Sequence, residues 1–310
     1  MNSKPVPKRS SAWDLAVDVS VKDDRGLKVS IFGETKRGKT RTACTFPKPL
    51  LLIGTEDGTK SVRNVPGIKF VPLRSSEHLM ELVESAPEVT GPKMMPAGFH
   101  GHKGYKTLVL DTGGGYQNFV IMREVLGLEE MPMGHRGWMI GTVTQEQWGV
   151  CNNRFAEYMS KFFDLSDRHG INTVCIAHER VFKGKDSGRE SEVIAPQAGP
   201  ALSPGACSWL SGAVDYIFQN FIRRDFVMKA GTKIVGSKEL PKPVKQFTGK
   251  MQFCLRVGPD ENYMTGSRLL DGMPMPECLI LGRTGEPAKQ SAWEQITAMI
   301  AGKSPETAVK

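Results

Sequence analysis

Short apolar runs, each followed by a polar turn, recur along the first two thirds of this 310-residue chain. Runs that are apolar almost throughout are typical of strands buried on both faces of a parallel sheet. The clearest ones cover residues 27–32, 50–53, 68–73, 106–111 and 171–177. Because amphipathic helical patterns separate several of them, the chain is predicted to fold as an α/β protein, with a mostly parallel central sheet flanked by helices.

The longest helical pattern covers residues 145–169, and Gly170 is positioned to end it. Its large apolar side chains recur at helical spacing; they are Trp148, Phe155, Met159, Phe162 and Phe163. A stripe of this kind is more typical of a helix that faces the core than of a surface that stacks on bases.

The last third of the chain has a different pattern, of shorter strands that follow one another without long helices between them. Shorter strands are predicted at residues 214–223, 226–234, 251–257 and 262–265, with a basic, proline-bearing excursion at 238–246. A terminal amphipathic helix is predicted at 291–301, with Ser291 as its cap. We therefore expect a C-terminal extension of antiparallel strands.

The stretch from Gly33 to Thr40 fits the pattern G-x-x-x-x-G-K-[ST] without a mismatch, between a predicted strand and a predicted helix. Its glycines let backbone N–H groups fold around a phosphate chain, and the start of the helix attracts the same anion. Lys39 is expected to reach the β- and γ-phosphates, and the Thr40 hydroxyl to bind Mg²⁺. The predicted nucleotide-binding residues are Gly33, Glu34, Thr35, Lys36, Arg37, Gly38, Lys39, Thr40 and Arg41.

Asp111 ends the apolar strand that begins at residue 106, which is a Walker B pattern. The pattern is weak alone, because many buried strands end in aspartate. Downstream of a complete phosphate loop it becomes strong, because this carboxylate is then expected to hold Mg²⁺ opposite Thr40. The sequence thus predicts ATP and Mg²⁺ as ligands.

Composition adds only weak constraints. A net charge of +8 and a pI of about 9.1 favour a polyanionic partner such as nucleic acid. A basic surface that only faces solvent would give the same net charge. Six cysteines without a C-x-x-C pair indicate buried thiols in a reducing cytoplasm.

No apolar run approaches the roughly 18 residues of a membrane span, so no membrane partner is expected. His100 and His102 lie in a predicted exposed loop without a third ligand nearby, which favours solvated side chains over a metal site.

The order of these parts resembles the core of RecA-type ATPases. It is most similar to the compact phage ATPases of that class, the RecA-like single-strand annealing and recombination proteins, also described as phage nucleotide-binding proteins. Besides the two nucleotide-binding motifs, the resemblance is carried by FPKPLLLI from Phe46, EDGTKS from Glu56, QWG from Gln147 and AHE from Ala177. It covers roughly residues 28–268.

The resemblance implies an ATPase that acts on single-stranded DNA in recombination or annealing, as a ring or filament of identical copies. It also implies a cytoplasmic location, in a host cell if the chain is phage-encoded, and admits a single-stranded DNA-binding protein as a further partner. The family's core is a RecA-type P-loop domain, which here would occupy residues 27–270. A basic, partly disordered segment at 1–26 would precede it, and a tail with the terminal helix at 271–310 would follow.

The resemblance also assigns catalytic roles. Glu56 matches the acid that activates the attacking water, with Asp57 beside it as the alternative. His178 occupies the place of a polar sensor of the γ-phosphate, which is often glutamine, and capping of its strand is the alternative role. Lys39 completes the implied catalytic set.

DNA contacts are implied in two segments, residues 127–144 and 182–203, where RecA-type proteins carry DNA-binding loops. Trp138 is then placed to stack on a base or, alternatively, to pack on its own domain. The cations placed to meet phosphates, or else to remain solvated, are Arg136, Lys183 and Lys185. Arg256 and Arg268 are candidates for a finger that reaches the γ-phosphate bound by a neighbouring copy.

Two other functions fit a phosphate loop. One is a nucleotide-gated protein-interaction module, such as a helicase loader or packaging accessory. The other is a small-molecule kinase, which is disfavoured because no acceptor-binding lid is evident and Glu56 suits water activation better. The reaction product and the response to single-stranded DNA discriminate among the three.

Overall fold

A computed structural model describes residues 25–56, 58–84, 104–129, 143–182, 198–235, 238–268, 275–286, 288–303 and 308–309, with the side chains of 231–235, 238–243 and 308–309 left out of account. The strands are β1 (Lys28–Gly33), β2 (Leu50–Gly54), β3 (Ile68–Pro72), β4 (Thr107–Asp111), β5 (Asn172–Val181), β6 (Ala198–Pro200), β7 (Tyr216–Val235), β8 (Lys238–Arg256), β9 (Gly266–Ser267), β10 (Cys278–Arg283) and β11 (Ala308–Val309).

The helices are α1 (Lys39–Ala43), α2 (Ser76–Glu84), α3 (Gly113–Gly115), α4 (Met122–Val125), α5 (Gln145–His169), α6 (Pro204–Ala213) and α7 (Ala292–Ile300). A π-helical segment, Tyr116–Ile121, joins α3 to α4, and a short 3-10 helix covers Thr59–Ser61. No helix within these described ranges is long and apolar enough to cross a bilayer.

One sheet runs in the order β11-β10-β8-β7-β1-β5-β4-β2-β3. The strands from β7 to β3 pair in parallel, whereas β8, β10 and β11 pair antiparallel. The predicted α/β fold, with a mostly parallel central sheet, flanking helices and a C-terminal antiparallel extension, is therefore confirmed.

Strand register brings several strand ends to one edge of the sheet. Gly33 of β1 lies opposite His178 of β5. Asp111, the last residue of β4, lies opposite Ile176 of β5 and Gly54 of β2. Because these strands are parallel, the residues that follow them meet at the same carboxyl edge, where open α/β sheets bind ligands.

Apolar layers cover both faces of the sheet. On one face lies α5, whose Phe155, Met159, Phe162 and Phe163 are buried, as the core-facing interpretation of its stripe predicts. Trp148 is partly buried against the same core. The helix begins with a capping box at Thr144 and ends at Gly170, whose φ of 63° suits glycine.

The opposite face carries α1 and α7. Trp293 of α7 packs on Phe46, with ring centroids 4.8 Å apart, and the backbone N–H of Trp293 donates to Thr45 Oγ1 over 3.1 Å. Ser291 caps α7 as expected, since its hydroxyl accepts the backbone N–H of Glu294. The terminal helix thus packs against the segment that follows the phosphate loop.

The antiparallel extension differs from the sequence prediction in the length of its strands. The strands predicted at 214–223 and 226–234 form one strand, β7, which begins at Tyr216 and has a bulge between Arg224 and Phe226. The excursion predicted at 238–246 is wrong, because those residues belong to β8. Pro241 and Pro243 suggested a break in the strand. A strand ladder tolerates proline where the proline nitrogen points away from the partner strand, and residues two apart in a strand have the same orientation.

Two other elements were predicted incompletely. Residues 182–203 were expected to form a polar loop, yet Ala198–Pro200 forms β6 against Glu179–Val181. The strand β10 lies within the predicted tail and pairs with β8, although no strand was predicted there. Strand β6 has only three residues, and both strands are defined by their pairing with an earlier strand, so local pattern does not reveal them.

All six cysteines are buried and none forms a disulfide, as predicted. Burial raises the pKa of Cys44, Cys151 and Cys175 to about 12 and that of Cys207 to about 11. A raised pKa keeps these thiols protonated at neutral pH, so the reactive thiolate is scarce.

We therefore expect a disulfide reagent such as DTNB to label the native protein slowly at mildly alkaline pH, and all six thiols to react once the chain is unfolded in guanidinium. A Ser208→Cys variant is the positive control, because Ser208 is exposed on α6. Rapid labelling of a thiol in the native parent would contradict the burial described here.

Candidate nucleotide-binding site

The predicted phosphate loop leads from β1 directly into α1. Its backbone turns through left-handed conformations at Lys36, with φ of 64°, and at Gly38, with φ of 89°. Gly33 approaches β7 so closely that a Cβ there would lie 2.3 Å from the carbonyl oxygen of Asn220. The two glycines of the motif thus have local steric reasons: a left-handed turn at Gly38 and a close backbone approach at Gly33.

Lys39 is folded back over this loop. Its ammonium donates to the carbonyl oxygens of Gly33, over 2.9 Å, and Glu34, over 2.8 Å, and the residue is 6% exposed. Burial lowers its pKa, an effect that the carboxylates of Asp111 and Glu179 partly oppose. A lysine held in this way places positive charge where the loop would meet phosphates.

The remaining residues of the predicted nucleotide-binding set lie around this lysine. Glu34 accepts from the Arg37 guanidinium, with Nε at 2.8 Å. Exposed positions are occupied by Glu34, Thr35, Lys36, Gly38 and Arg41, whereas Arg37 is half-buried. The loop therefore presents an accessible polar surface above the buried end of β1.

Thr40 and Asp111 meet across the sheet edge. The Thr40 hydroxyl donates to Asp111 Oδ2 over 2.7 Å, although 71 residues separate them in sequence. Asp111 is 7% exposed, and burial raises the pKa of its carboxyl, while the Thr40 hydrogen bond and Lys39 act in the opposite direction. A buried carboxylate in this position gains from a nearby cation.

These two side chains fit a Mg²⁺ site. A hydroxyl and a carboxylate are oxygen ligands of the kind that Mg²⁺ prefers, with water and nucleotide phosphates supplying the rest. Space beside Asp111 is kept by Gly58, where a Cβ would lie only 3.0 Å from Oδ2. No cluster of three or more His, Cys, Asp or Glu suited to a metal is present among the described residues, so a dedicated all-protein metal cage is not found there.

Glu56 follows β2 at the same edge and is exposed. Its charge opposes ionisation of Asp111 and favours protonation of Lys39, which places it within electrostatic reach of both. Asp57, the alternative base, lies outside the described residues. A backbone hydrogen bond joins the carboxyl ends of β2 and β4: the Thr55 N–H donates to the Asp111 carbonyl oxygen over 2.9 Å.

His178 lies between the phosphate loop and the Asp111 strand, because β5 separates β1 from β4. It is half-buried, and its backbone carbonyl accepts the N–H of Ala201 over 2.7 Å. A positive charge on this imidazole favours ionisation of Asp111. The predicted sensor is therefore positioned beside both nucleotide-binding motifs.

Comparison with known families bears on this arrangement. The family model described as AAA domain (AAA_24) matches residues 25–268, which is most of the chain. The chain belongs to this family. The AAA domain so defined contains the phosphate loop, Asp111 and the strand that ends at His178.

Among solved structures, the AAA domain has some similarity to a KaiC-like protein from the hyperthermophilic archaeon Pyrococcus horikoshii OT3. The two share 12% identity at a TM-score of 0.35, over 74% of this chain and 85% of that one. No curated protein matches the sequence.

One polar group of the AAA domain was overlooked as a site residue: Glu179, next to His178. Its carboxylate accepts from Gln219 Nε2 over 2.7 Å and raises the pKa of Lys39 more than Glu56 does. Gln219 in turn accepts from Arg256 Nε over 3.1 Å. The signal was an acid at the end of a buried strand, but its link to β7 depends on a strand order that sequence does not display.

The two arginines predicted as trans fingers have different surroundings. Arg256 is 14% exposed, forms an ion pair with Asp260 and lies over the rings of Phe221 and Tyr263, at 5.0 and 4.5 Å. Arg268 is 64% exposed and pairs with Asp215 over 3.0 Å. The packed position of Arg256 leaves Arg268 as the better placed of the two to reach another copy.

The predicted DNA contacts Arg136, Trp138, Lys183 and Lys185 lie outside the described residues, as do His100 and His102. Their roles stay predictions.

Gly58→Ala tests the Asp111 geometry. The new Cβ would press on Oδ2, which the Thr40 hydrogen bond holds, so we expect about tenfold weaker binding of a fluorescent Mg²⁺-ATP analogue. Gly149→Ala is the matched control, since Gly149 is exposed on α5 and a Cβ there meets nothing within 4 Å. Equal affinity in both variants would show that the space beside Asp111 is not used.

Proposed function

We propose that this AAA domain binds ATP with Mg²⁺ and hydrolyses it to ADP and phosphate, and that it acts on single-stranded DNA in recombination or annealing. The observation that supports the first part best is the hydrogen bond between Thr40 and Asp111 beside the buried Lys39. A hydroxyl and an ammonium from α1 converge there with a carboxylate from β4. Phosphoryl transfer requires such a convergence, because catalysis rests on positioning and charge stabilisation.

Binding would begin at the loop backbone. Lys39 would exchange its carbonyl partners, Gly33 and Glu34, for phosphate oxygens, which are stronger acceptors because they are charged. Thr40 and Asp111 would hold Mg²⁺, which when bound neutralises charge on the phosphates. The left-handed turns at Lys36 and Gly38 keep the loop open for this approach.

Hydrolysis needs a base at the same edge. In the proposed step Glu56 takes a proton from a water whose oxygen bonds to the γ-phosphorus. The bond from that phosphorus to the β–γ bridging oxygen breaks, and ADP keeps the electron pair. His178 is proposed to contact the γ-phosphate and so to distinguish ATP from ADP.

The DNA part of the proposal is supported by the basic charge of the chain and by the sequence phrases that resemble phage RecA-like proteins. A phage source, a single-stranded DNA-binding protein as partner, and assembly of copies in the cytoplasm as a ring or filament are proposed on the same ground. In such an assembly, exposed Arg268 would be available to a neighbour's nucleotide.

The deciding experiment measures phosphate release from ATP with and without single-stranded DNA. We expect Mg²⁺-dependent turnover that DNA stimulates, and background turnover in Lys39→Ala, which removes the ammonium facing the phosphates. Lys69→Ala is the control, because Lys69 is an exposed lysine on β3, at the far edge of the sheet.

Each contrary result identifies a different error. Full turnover in Lys39→Ala would refute the ATPase assignment. A phosphorylated small molecule as product would indicate a kinase, and turnover indifferent to DNA would favour a nucleotide-gated protein-interaction module.

Three acids, Glu56, Asp57 and Glu179, are candidates for the role of base, and matched amide substitutions separate them. We expect Glu56→Gln to bind the ATP analogue like the parent but to hydrolyse ATP about 10²–10⁴-fold more slowly. Glu179→Gln should slow hydrolysis less, because Glu179 already accepts from Gln219.

Nucleotide affinity and single-turnover hydrolysis are measured on both variants. If Glu179→Gln stops hydrolysis while Glu56→Gln does not, the base is Glu179. If both retain hydrolysis and Asp57→Asn loses it, the base is Asp57.

A further inference from the structure

The hairpin of β7 and β8 extends beyond the main sheet. Strand β7 pairs with β1 only through Gln219, and β8 pairs with β10 only from Gln252 onward. Past the bulge at Phe226 the two strands pair with each other, from Phe226↔Phe247 to Val235↔Lys238. Within the described part of the chain, residues 226–235 and 238–247 thus form a two-stranded ribbon about 30 Å long.

The ribbon concentrates positive charge. Between residues 226 and 247 the sequence has five lysines and one glutamate, a net +4. This is half of the net +8 of the chain, carried by 22 of its 310 residues. Such local density distinguishes the ribbon from an evenly solvated basic surface.

Exposed apolar side chains are interleaved with these charges. Val227, Met228, Val244 and Phe247 are 45%, 53%, 48% and 57% exposed. Val227 and Val244 are diagonal neighbours on one face of the ladder, and Met228 and Phe247 on the other, so they are grouped rather than scattered singly. The ribbon is too thin to bury them itself, because two strands alone enclose no core.

Cations already lie over the aromatic rings of the ribbon. Lys245 Nζ is 4.6 Å from the centroid of Phe226, and Arg224 Cζ is 5.7 Å from that of Phe247. Phe226 and Phe247 are themselves a cross-strand pair. Rings beside cations provide the two contacts that single-stranded nucleic acid uses, stacking on bases and pairing with phosphates.

The backbone register adds order to the lysines. Four successive levels on one face of the ladder are Lys229↔Val244, Gly231↔Lys242, Lys233↔Leu240 and Val235↔Lys238. Each level contains one lysine, and levels two residues apart are spaced about 7 Å along the ribbon. Positions of positive charge therefore recur at regular intervals, as a groove that follows a polyanion requires.

The base of the ribbon is joined to the nucleotide-binding edge. Because β7 is parallel to β1, its continuation leaves the sheet at the carboxyl edge, where the phosphate loop lies. Asn220 donates to Thr42 Oγ1 of α1 over 2.9 Å, and Gln219 donates to Glu179. A ligand on the ribbon would thus lie on an element that contacts the nucleotide site.

We propose that the ribbon, residues 226–235 and 238–247, is a binding arm for single-stranded nucleic acid, which contacts the row of lysines through its phosphates on one face and stacks a base on Phe247, beside Arg224, on the other. This inference rests on the DNA part of the proposed function and assigns it a surface separate from the two loops suggested by sequence. Nucleic acid suits this surface better than an anionic membrane does. A membrane would be met by one apolar face, whereas the exposed apolar side chains here lie on both faces of the ladder, Val244 on one and Phe247 on the other.

The test is the salt dependence of binding, measured by fluorescence anisotropy with labelled oligo-deoxythymidine. Each neutralised phosphate contributes a slope of about −0.7 in log K against log salt, so losing four contacts flattens it by up to about 2.8. We expect this flattening in a variant with Lys229→Gln, Lys233→Gln, Lys242→Gln and Lys245→Gln. The control removes equal charge at exposed positions elsewhere; its substitutions are Arg63→Gln, Lys69→Gln, Lys106→Gln and Lys303→Gln.

A second variant, Phe247→Ala, tests stacking without changing charge. We expect DNA affinity to fall about tenfold with the parent's salt slope, since stacking is largely independent of phosphate contacts. Phe70→Ala is its control, an exposed phenylalanine on β3. Melting curves confirm that each variant is folded.

The assignment of the ribbon as a binding arm would be refuted if the four-lysine variant kept the parent's salt slope, or if the slope flattened equally in the control. Either result would leave the proposed function intact. A parent that binds no single-stranded DNA would refute both. A four-lysine variant that loses binding to phosphatidylserine vesicles but keeps DNA binding would assign the ribbon to a membrane instead.

Discussion

Parallel register at one sheet edge is the constraint on which the candidate site depends. The phosphate loop, Glu56, Asp111 and His178 come from four separate parts of the chain, and only the order β1-β5-β4-β2 places them together. A shift of β4 by one residue would turn Asp111 to the other face of the sheet and break its hydrogen bond with Thr40.

Polar contacts continue from this edge into the antiparallel extension. Glu179 accepts from Gln219, which accepts from Arg256, which is paired with Asp260. Charges at the end of β5 are thereby connected to β7 and β8 through side chains that are mostly buried. These side-chain contacts connect the nucleotide site to the hairpin directly, in either direction.

The parts of the fold that sequence predicted are those specified locally. Gly33, Gly38 and Lys39 belong to one short motif, and the stripe that includes Phe155 and Phe162 repeats within one helix. The pairing of Glu179 with Gln219 could not be predicted, since it joins residues 40 apart across two strands. The length of β8 was missed for another reason. Proline usually ends a strand, and only the pairing with β7 shows that Pro241 and Pro243 lie within the ladder.

Those two prolines have a consequence for how copies of the protein can meet. A free strand edge offers N–H and C=O groups that another chain can extend into a larger sheet, which is a common route to aggregation. Without two N–H donors, the outer edge of β8 is a poor template for such strand addition, and the lysines of both strands repel a second copy. The hairpin can therefore keep large apolar side chains exposed at its surface and remain a two-stranded element. Contacts between copies, if they form, would then be expected at other surfaces of the molecule.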